Sequence, residues 1–446
     1  MYDPLHDNSP GINEPYPNSY WASTITDTPE SSGQLNKDIE QDVVIIGAGY
    51  TGLSCALHLS KEHNIKSAVL EANQTAWGCS GRNAGFILKS TGRMPWTTMR
   101  EKWGETVMRG VYDEVCEGVD TVNQLINSGI DCDKQDSGYI RVAHKPAMMK
   151  QLIAQASVLQ NMFNYDVEVL NRQQLHQQFM HDHNAYGAIR FSDGYGLNPL
   201  KLAHGYQNLA TELGVKIYTG SPATNIEKVG NKYRVTTPQG SVIAEKVVIA
   251  TNGYTPKNFH SAITNKTLPV LSQIIVTEPL TAEQLQQCNF LTSNVVMDTR
   301  ALKYYYRKLS DNRILFGGRG AITGKGAEDP YYANRLLSVL KQSFPALNNI
   351  QYQYAWAGWI CMSLDDIPHI YQADDDPNIH YASGYCGNGV SFSVQAGKRL
   401  AQSVAGETLP NLPLYQTSLP SFPLPALRRV GQWGYFHYGK IKDTYF

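Results

Sequence analysis

The chain has 446 residues, enough for two domains and a large buried core. Its 38 basic and 39 acidic side chains leave a formal net charge of −1, which gives no electrostatic footprint for nucleic acid or an anionic membrane. No apolar run approaches the about 18 residues of a membrane-spanning helix. The start, Met1-Tyr2-Asp3-Pro4, has neither the basic nor the apolar region of a signal peptide. The seven cysteines include no Cys-x-x-Cys pair. A reducing compartment, the cytoplasm, is therefore expected, without a disulfide framework and without a metal site.

In chain order, residues 1–40 are polar and turn-rich, as expected of an extended arm laid over the surface. Residues 42–71 carry the densest signal. Val43-Val44-Ile45-Ile46 reads as a buried strand, Gly47-Ala48-Gly49-Tyr50-Thr51-Gly52 as a Gly-x-Gly-x-x-Gly turn, and Leu53, Ala56, Leu57 and Leu59 as one face of a helix. Gly47 allows the sharp turn, Gly49 lets the backbone approach a pyrophosphate, and Gly52 lets helix and strand pack closely. The helix N-terminus then faces the anion. A second apolar run, Ser67-Ala68-Val69-Leu70, ends at Glu71, 19 residues after Gly52. A carboxylate there accepts the ribose hydroxyls of an adenosine. The pattern specifies a dinucleotide and leaves FAD and NAD both open.

The next segment favours FAD. Trp77-Gly78-Cys79-Ser80-Gly81-Arg82-Asn83-Ala84-Gly85-Phe86 is a small-residue loop where a nicotinamide dehydrogenase would have another crossover helix. A flavin ring reaches far past the pyrophosphate and must be gripped from several segments. Further on, Trp103, Val107, Val111, Val115 and Val119 predict helices over 97–128. Residues 138–143 and 186–191 alternate as half-buried strands of a second, antiparallel sheet. A helix runs from Pro199 to Leu213, and Val215-Lys216-Ile217-Tyr218 returns to the nucleotide sheet. Strands follow at 269–276, 304–307 and 313–318. In Tyr304-Tyr305-Tyr306, alternation sends Tyr304 and Tyr306 to one face and Tyr305 to the other. Tyr304 and Tyr306 are taken as aromatic pocket walls, which attract a cationic amine, and Arg307 as the partner of a substrate carboxylate. Pro410, Pro413, Pro420, Pro423 and Pro425 predict a non-helical tail.

At Gly78-x-Ser80-Gly81-Arg82-Asn83-x-Gly85 the sequence resembles the glycine oxidase, monomeric sarcosine oxidase and D-amino-acid oxidase family of flavoproteins, and most of all its gamma-glutamylputrescine oxidoreductase branch. The likeness runs nearly end to end. Ser19-Tyr20-Trp21-Ala22-Ser23-Thr24 is similar to the branch's lead-in, and Asp193-Gly194-x-x-Leu197-Asn198-Pro199 to a strand-to-helix junction. Val247-Val248-Ile249-Ala250-Thr251-Asn252-Gly253-Tyr254 resembles the second flavin fingerprint. Trp356-Ala357-Gly358 with Asp365-x-x-Pro368-His369 resembles the late motif beside the ring, and Gly384-Tyr385-Cys386-Gly387-Asn388-Gly389-Val390 the start of the last helix.

The resemblance implies an α/β fold: a Rossmann-like FAD-binding domain (41–95, 194–265 and 350–408) and a mainly antiparallel α+β substrate domain with a helical insert (96–193 and 266–349). Both are discontinuous, between an arm (1–40) and a tail (409–446). It implies cofactor contacts at Gly47, Gly49, Tyr50, Thr51, Gly52, Glu71 and Ala72; at Trp77, Gly78, Ser80, Gly81, Arg82, Asn83, Ala84 and Gly85; and at Ala223, Thr251, Asn252, Gly253, Trp356, Gly358, Asp365, Gly387, Asn388, Gly389 and Val390. The implied reaction is oxidation of an amine C–N bond: hydride passes to flavin N5, the imine hydrolyses, and oxygen reoxidises the flavin to give peroxide. The expected substrate is a secondary amine or a gamma-glutamyl-capped diamine. The alternatives are an N-alkyl amino-acid oxidase of the glycine or sarcosine type, or a flavoprotein that passes electrons to a partner; oligomeric state stays open. Two positions depart from the family. Asn388 stands where the branch usually has histidine, so the amide is assigned that histidine's place at the site. Gly358 falls where sarcosine oxidases have the flavin-tethering cysteine, so the FAD is expected to be non-covalent, with Cys361 three residues on. His369 is expected to be a packing or hydrogen-bonding residue.

Overall fold

The computed structural model describes residues 1–445. Two eight-stranded sheets organise the chain. In the first, Ile39–Ile46 lies between Ser67–Leu70 and Ser241–Ile249, parallel to both, and Lys216–Tyr218 and Asp376–Ser383 extend the parallel array. The inner halves of these strands are apolar because helices cover them. Val44 and Ile45 are wholly buried, as are Ala68, Val69, Val247 and Val248. Helix Tyr50–His63 follows the first strand across a three-residue turn and ends at Asn64, in the left-handed conformation that stops a helix. Gly47 takes φ +107°, and a Cβ on Gly52 would sit 1.9 Å from the Gly47 carbonyl oxygen. The first and third glycines thus do what their spacing predicts.

The second sheet runs in the order Tyr352–Met362, Leu268–Thr277, Ile314–Arg319, Tyr305–Lys308, Val295–Asp298, Tyr139–Val142, Gly187–Phe191, Val167–Asn171. Only the Val295–Asp298 and Tyr139–Val142 pair is parallel. Helix Pro330–Ser343 covers one face, where Leu336, Leu340 and Phe344 pack with Tyr306 and Phe316. The other face is the floor of a large cavity. Strand Tyr352–Met362 pairs along its length with Leu268–Thr277, so this sheet runs through the boundary drawn at 349/350. The edge strand Val167–Asn171 lies in the chain between the two helices of an insert, Pro146–Phe163 and Arg172–Gln178, and the longer of them lacks a clean amphipathic stripe in the sequence.

The tail differs from expectation. Residues 428–445 form an 18-residue helix. The prolines end at Pro425, and nothing in Arg428–Tyr445 breaks the backbone ladder, so the proline cluster marks the approach to a helix. This helix ties distant segments together. Arg429 pairs with Asp3 at 2.7 Å, Tyr435 accepts a hydrogen bond from Arg93 at 3.1 Å, and the Asp443 carboxylate accepts from the Ala301 and Leu302 N–H groups. The N-terminal arm is less superficial than expected, with Trp21 and Leu35 almost fully buried. Among the described residues no helix is long and apolar enough to cross a membrane.

Candidate active site

Two adjoining cavities lie between the sheets. The smaller, of about 170 Å³, follows the glycine turn. A Cβ on Gly49 would sit 2.9 Å from the Ser80 hydroxyl, which itself accepts the Tyr50 N–H at 3.0 Å. Turn and loop are therefore in contact, with room for a thin ligand and none for a side chain. Glu71 faces the same cavity. Its carboxylate accepts the N–H groups of Ala48 at 2.9 Å and Asn73 at 3.0 Å, and burial lifts its pKa above the usual carboxylate range. A buried acid with no cation beside it is satisfied by neutral donors such as a ribose diol. Two long helices, Tyr50–His63 and Gly389–Ala405, begin at this cavity and present their positive ends to it. The residues present therefore fit an adenine dinucleotide.

Most of the expected cofactor residues line one cavity or the other. Gly47, Gly49, Tyr50, Thr51, Glu71, Ala72, Trp77, Gly78, Ser80, Asn83, Ala223, Thr251, Asn252, Gly253, Gly387, Gly389 and Val390 line the smaller. Arg82, Ala84, Gly358 and Asn388 line the larger, of about 620 Å³. Cys79, Asn83, Ile360, Gly387 and Val390 belong to both and form a common wall.

Five expected contacts reach neither cavity. Gly52, Gly81 and Gly85 are packing glycines: a Cβ on Gly81 would meet the Ala76 carbonyl at 2.4 Å, and one on Gly85 the Leu197 carbonyl at 2.0 Å. Trp356 is buried and donates its indole N–H to the Arg82 carbonyl at 2.8 Å, so it braces the loop from behind. Asp365 is bonded to His369 Nε2 at 3.1 Å, while His369 Nδ1 meets the Thr417 carbonyl at 2.9 Å. His369 is thus a hydrogen-bonding link.

The expected catalytic residues need larger corrections. Tyr304 and Tyr306 pack under helix Pro330–Ser343, and the buried Tyr306 hydroxyl donates to Asp182. The alternation holds, but Tyr305 has the face that lines the cavity. Arg307 is fully enclosed. Its guanidinium donates to the Leu197 carbonyl and to Gln135 Oε1 and lies over the Trp21 ring, so it holds the arm and the 196–198 turn rather than a substrate. Asn388 does line the larger cavity, with its amide donating to the Ser90 carbonyl. Cys361 lines the smaller cavity, and burial pushes its thiol pKa up, away from the reactive thiolate.

The profile of the DAO family, FAD-dependent oxidoreductases, matches residues 42–403. The chain belongs to this family. It is an FAD-dependent oxidoreductase. It is 31% identical over 398 residues to gamma-glutamylputrescine oxidoreductase of Escherichia coli, covering 89% of this chain and 90% of that protein. Glycine oxidase of Bacillus subtilis is 23% identical over 81% of this chain and 92% of its own length. In three dimensions the fold matches the glycine oxidase of Bacillus cereus with a TM-score of 0.70 and 20% identity, over 86% of this chain and 99% of that one. The Rossmann-like FAD domain and antiparallel second sheet are those of the family fold.

Sequence reasoning passed over Ile360, which bears no distinctive chemistry, and the cations Arg93, Arg141, Lys303 and Arg319, which line the larger cavity from four separate segments. Arg319 had a legible signal. It ends the strand opposite Tyr305, whose partner Gly317 lies two residues earlier and so on the same face.

Proposed function

We propose that this enzyme oxidises a C–N bond of an extended amine, a secondary amine or an N-capped diamine of the gamma-glutamyl type, with oxygen as acceptor, in the cytoplasm. When bound, FAD supplies hydride acceptance at its N5 position. Gly47 and Gly49 would hold its pyrophosphate, Glu71 its ribose, and the common wall its ring, attached without a covalent bond because the one cysteine of the late motif is a buried thiol.

The observation that carries the reading is the common wall itself. A 620 Å³ chamber opens onto the cofactor cavity through Cys79, Asn83, Ile360, Gly387 and Val390, and five-atom glycine would fill little of it. The wall contains no carboxylate and no histidine. Neutral, desolvating surroundings favour the uncharged amine, the form whose lone pair assists hydride loss. Phe86, Tyr305 and Ile274 supply apolar surface for the substrate's chain and help exclude water. Arg82, the chain neighbour of Asn83, is already committed: it donates to the Trp77 carbonyl at 2.7 Å and the Ala357 carbonyl at 3.3 Å.

The test is anaerobic flavin bleaching with a panel of amines. Gamma-glutamylputrescine or a related capped diamine should bleach the flavin, and air should restore the yellow colour with peroxide formed. Rapid bleaching by glycine or sarcosine with capped diamines inert would overturn the substrate class. Reoxidation that needs an added protein or quinone would overturn oxygen as acceptor.

A further inference from the structure

The cavity floor is one face of the second sheet, and its register sets out a row of side chains leading away from the cofactor wall. Ser272 is the cross-strand partner of both Gly358 and Arg319. Tyr305 pairs with Gly317 and with Met297, and Met297 with Arg141. At about 4.8 Å per strand, the Arg319 backbone lies roughly 10 Å from Gly358, the strand bearing Lys303 at its mouth about 14 Å, and Arg141 about 24 Å.

These cations outnumber their protein partners. Arg93 pairs with Asp366 at 3.2 Å. Arg141 has one donor on Gln155 at 2.7 Å, while its buried Nε has no partner. Among the described residues Lys303 and Arg319 make no side-chain hydrogen bond or ion pair. Lys303 is held down to about 8 by burial and then by the fields of Arg141, Arg319 and Arg93, so the four groups converge. The carboxylates acting on Lys303 in the opposite sense are both engaged: Asp298 is bound to Arg300 and Asp366 to Arg93. Partly buried positive charge without a counter-charge is costly, and a ligand anion is the natural partner.

We propose that Lys303, Arg319 and Arg141 form a carboxylate-binding site at the far end of the cavity, selecting amines that carry an anionic group roughly 10 Å or more from the carbon being oxidised. This rests on the reading that the reacting carbon meets the flavin at the common wall. Among the described residues no cation belongs to that wall, the adjoining Arg82 is committed to two carbonyls, and Ile360 offers an α-carboxylate nothing. A small amino acid has its charge in the wrong place for this chamber, whereas an amine with a carboxylate on its cap spans from wall to cluster.

The experiment uses the FAD-loaded enzyme and an inert probe, glutarate, with its uncharged diamide as control, in calorimetric titrations. Wild type should bind glutarate at least tenfold more tightly than glutaramide. Lys303→Met and Arg319→Gln should each lose tenfold or more of the glutarate affinity while retaining wild-type flavin content and melting temperature. Equal binding of diamide and diacid, no glutarate binding by wild type, or affinity retained in both variants would overturn the proposal. None of these outcomes depends on turnover. If glutarate binds as expected and no capped diamine bleaches the flavin, the anion site stands and the amine reading falls.

Discussion

At the residue scale, the cofactor turn and the far cations make opposite demands on side chains. Gly49 has space for no Cβ without moving Ser80. Gly49→Val should therefore lose FAD, and with it the stabilisation a folded-state ligand confers, about 2.7 kcal/mol at a hundredfold excess over Kd. Flavin absorbance after gel filtration and a thermal melt check both outcomes; a yellow variant of wild-type stability would contradict the fit. Lys303 gives a pH signature. Its charge in the free enzyme is lost as pH rises through about 8, and a bound carboxylate favours the charged form, so affinity for a carboxylate-bearing amine should weaken above that pH. The limiting rate of flavin reduction should move the other way. The wall desolvates the bound amine and lowers its pKa below the alkylamine value of about 10.4, so the limiting rate climbs with pH until that lowered pKa is passed. Rapid-mixing reduction separates the two trends, and Lys303→Arg should abolish the first while keeping the second.

At the element scale, the strand Tyr305–Lys308 shows how one register assigns neighbouring side chains to different tasks. Tyr306 and Arg307 are both buried, yet one anchors Asp182 beneath the sheet and the other ties down Gln135 and Leu197. Tyr306→Phe leaves one oxygen of the buried Asp182 carboxyl without its tyrosine donor, while the other keeps the Asn184 N–H, and should cost about 1–3 kcal/mol of stability. Substrate affinity should be unchanged, because that face never meets the cavity. Tyr305→Phe should do the reverse: its hydroxyl, shared with Ser272 at 2.6 Å, borders the chamber, so affinity shifts while the denaturation midpoint holds. Urea titration alongside substrate titration distinguishes the pair, and a stability loss confined to Tyr305→Phe would mean the faces are exchanged. The C-terminal helix acts at this scale as well. By gripping Ala301 and Leu302 through Asp443, it steadies the turn that carries Lys303.

At the scale of the whole molecule, what the sequence determined by itself is what local geometry encodes. Gly47, Gly49 and Gly52 were legible as a tight turn because a strand, a turn and a helix within about 20 residues leave few ways to connect them, although Gly52 packs against Gly47 and does not reach the cavity. Glu71 was legible for the same reason, and so were the parallel first sheet and the second fingerprint at Thr251-Asn252-Gly253. The tail helix was misread because proline is a strong local signal whose reach ends at Pro425. Only the tertiary structure decided the substrate end of the site. Arg93, Arg141, Lys303 and Arg319 come from four segments: Arg141 and Arg319 share a cavity because strands far apart in sequence join one sheet, Lys303 sits in the turn before another of its strands, and Arg93 enters from the loop before helix Trp96–Trp103. Which of three consecutive tyrosines faces the chamber depended in turn on where helix Pro330–Ser343 packs, since alternation fixes opposite faces but not which of them is covered.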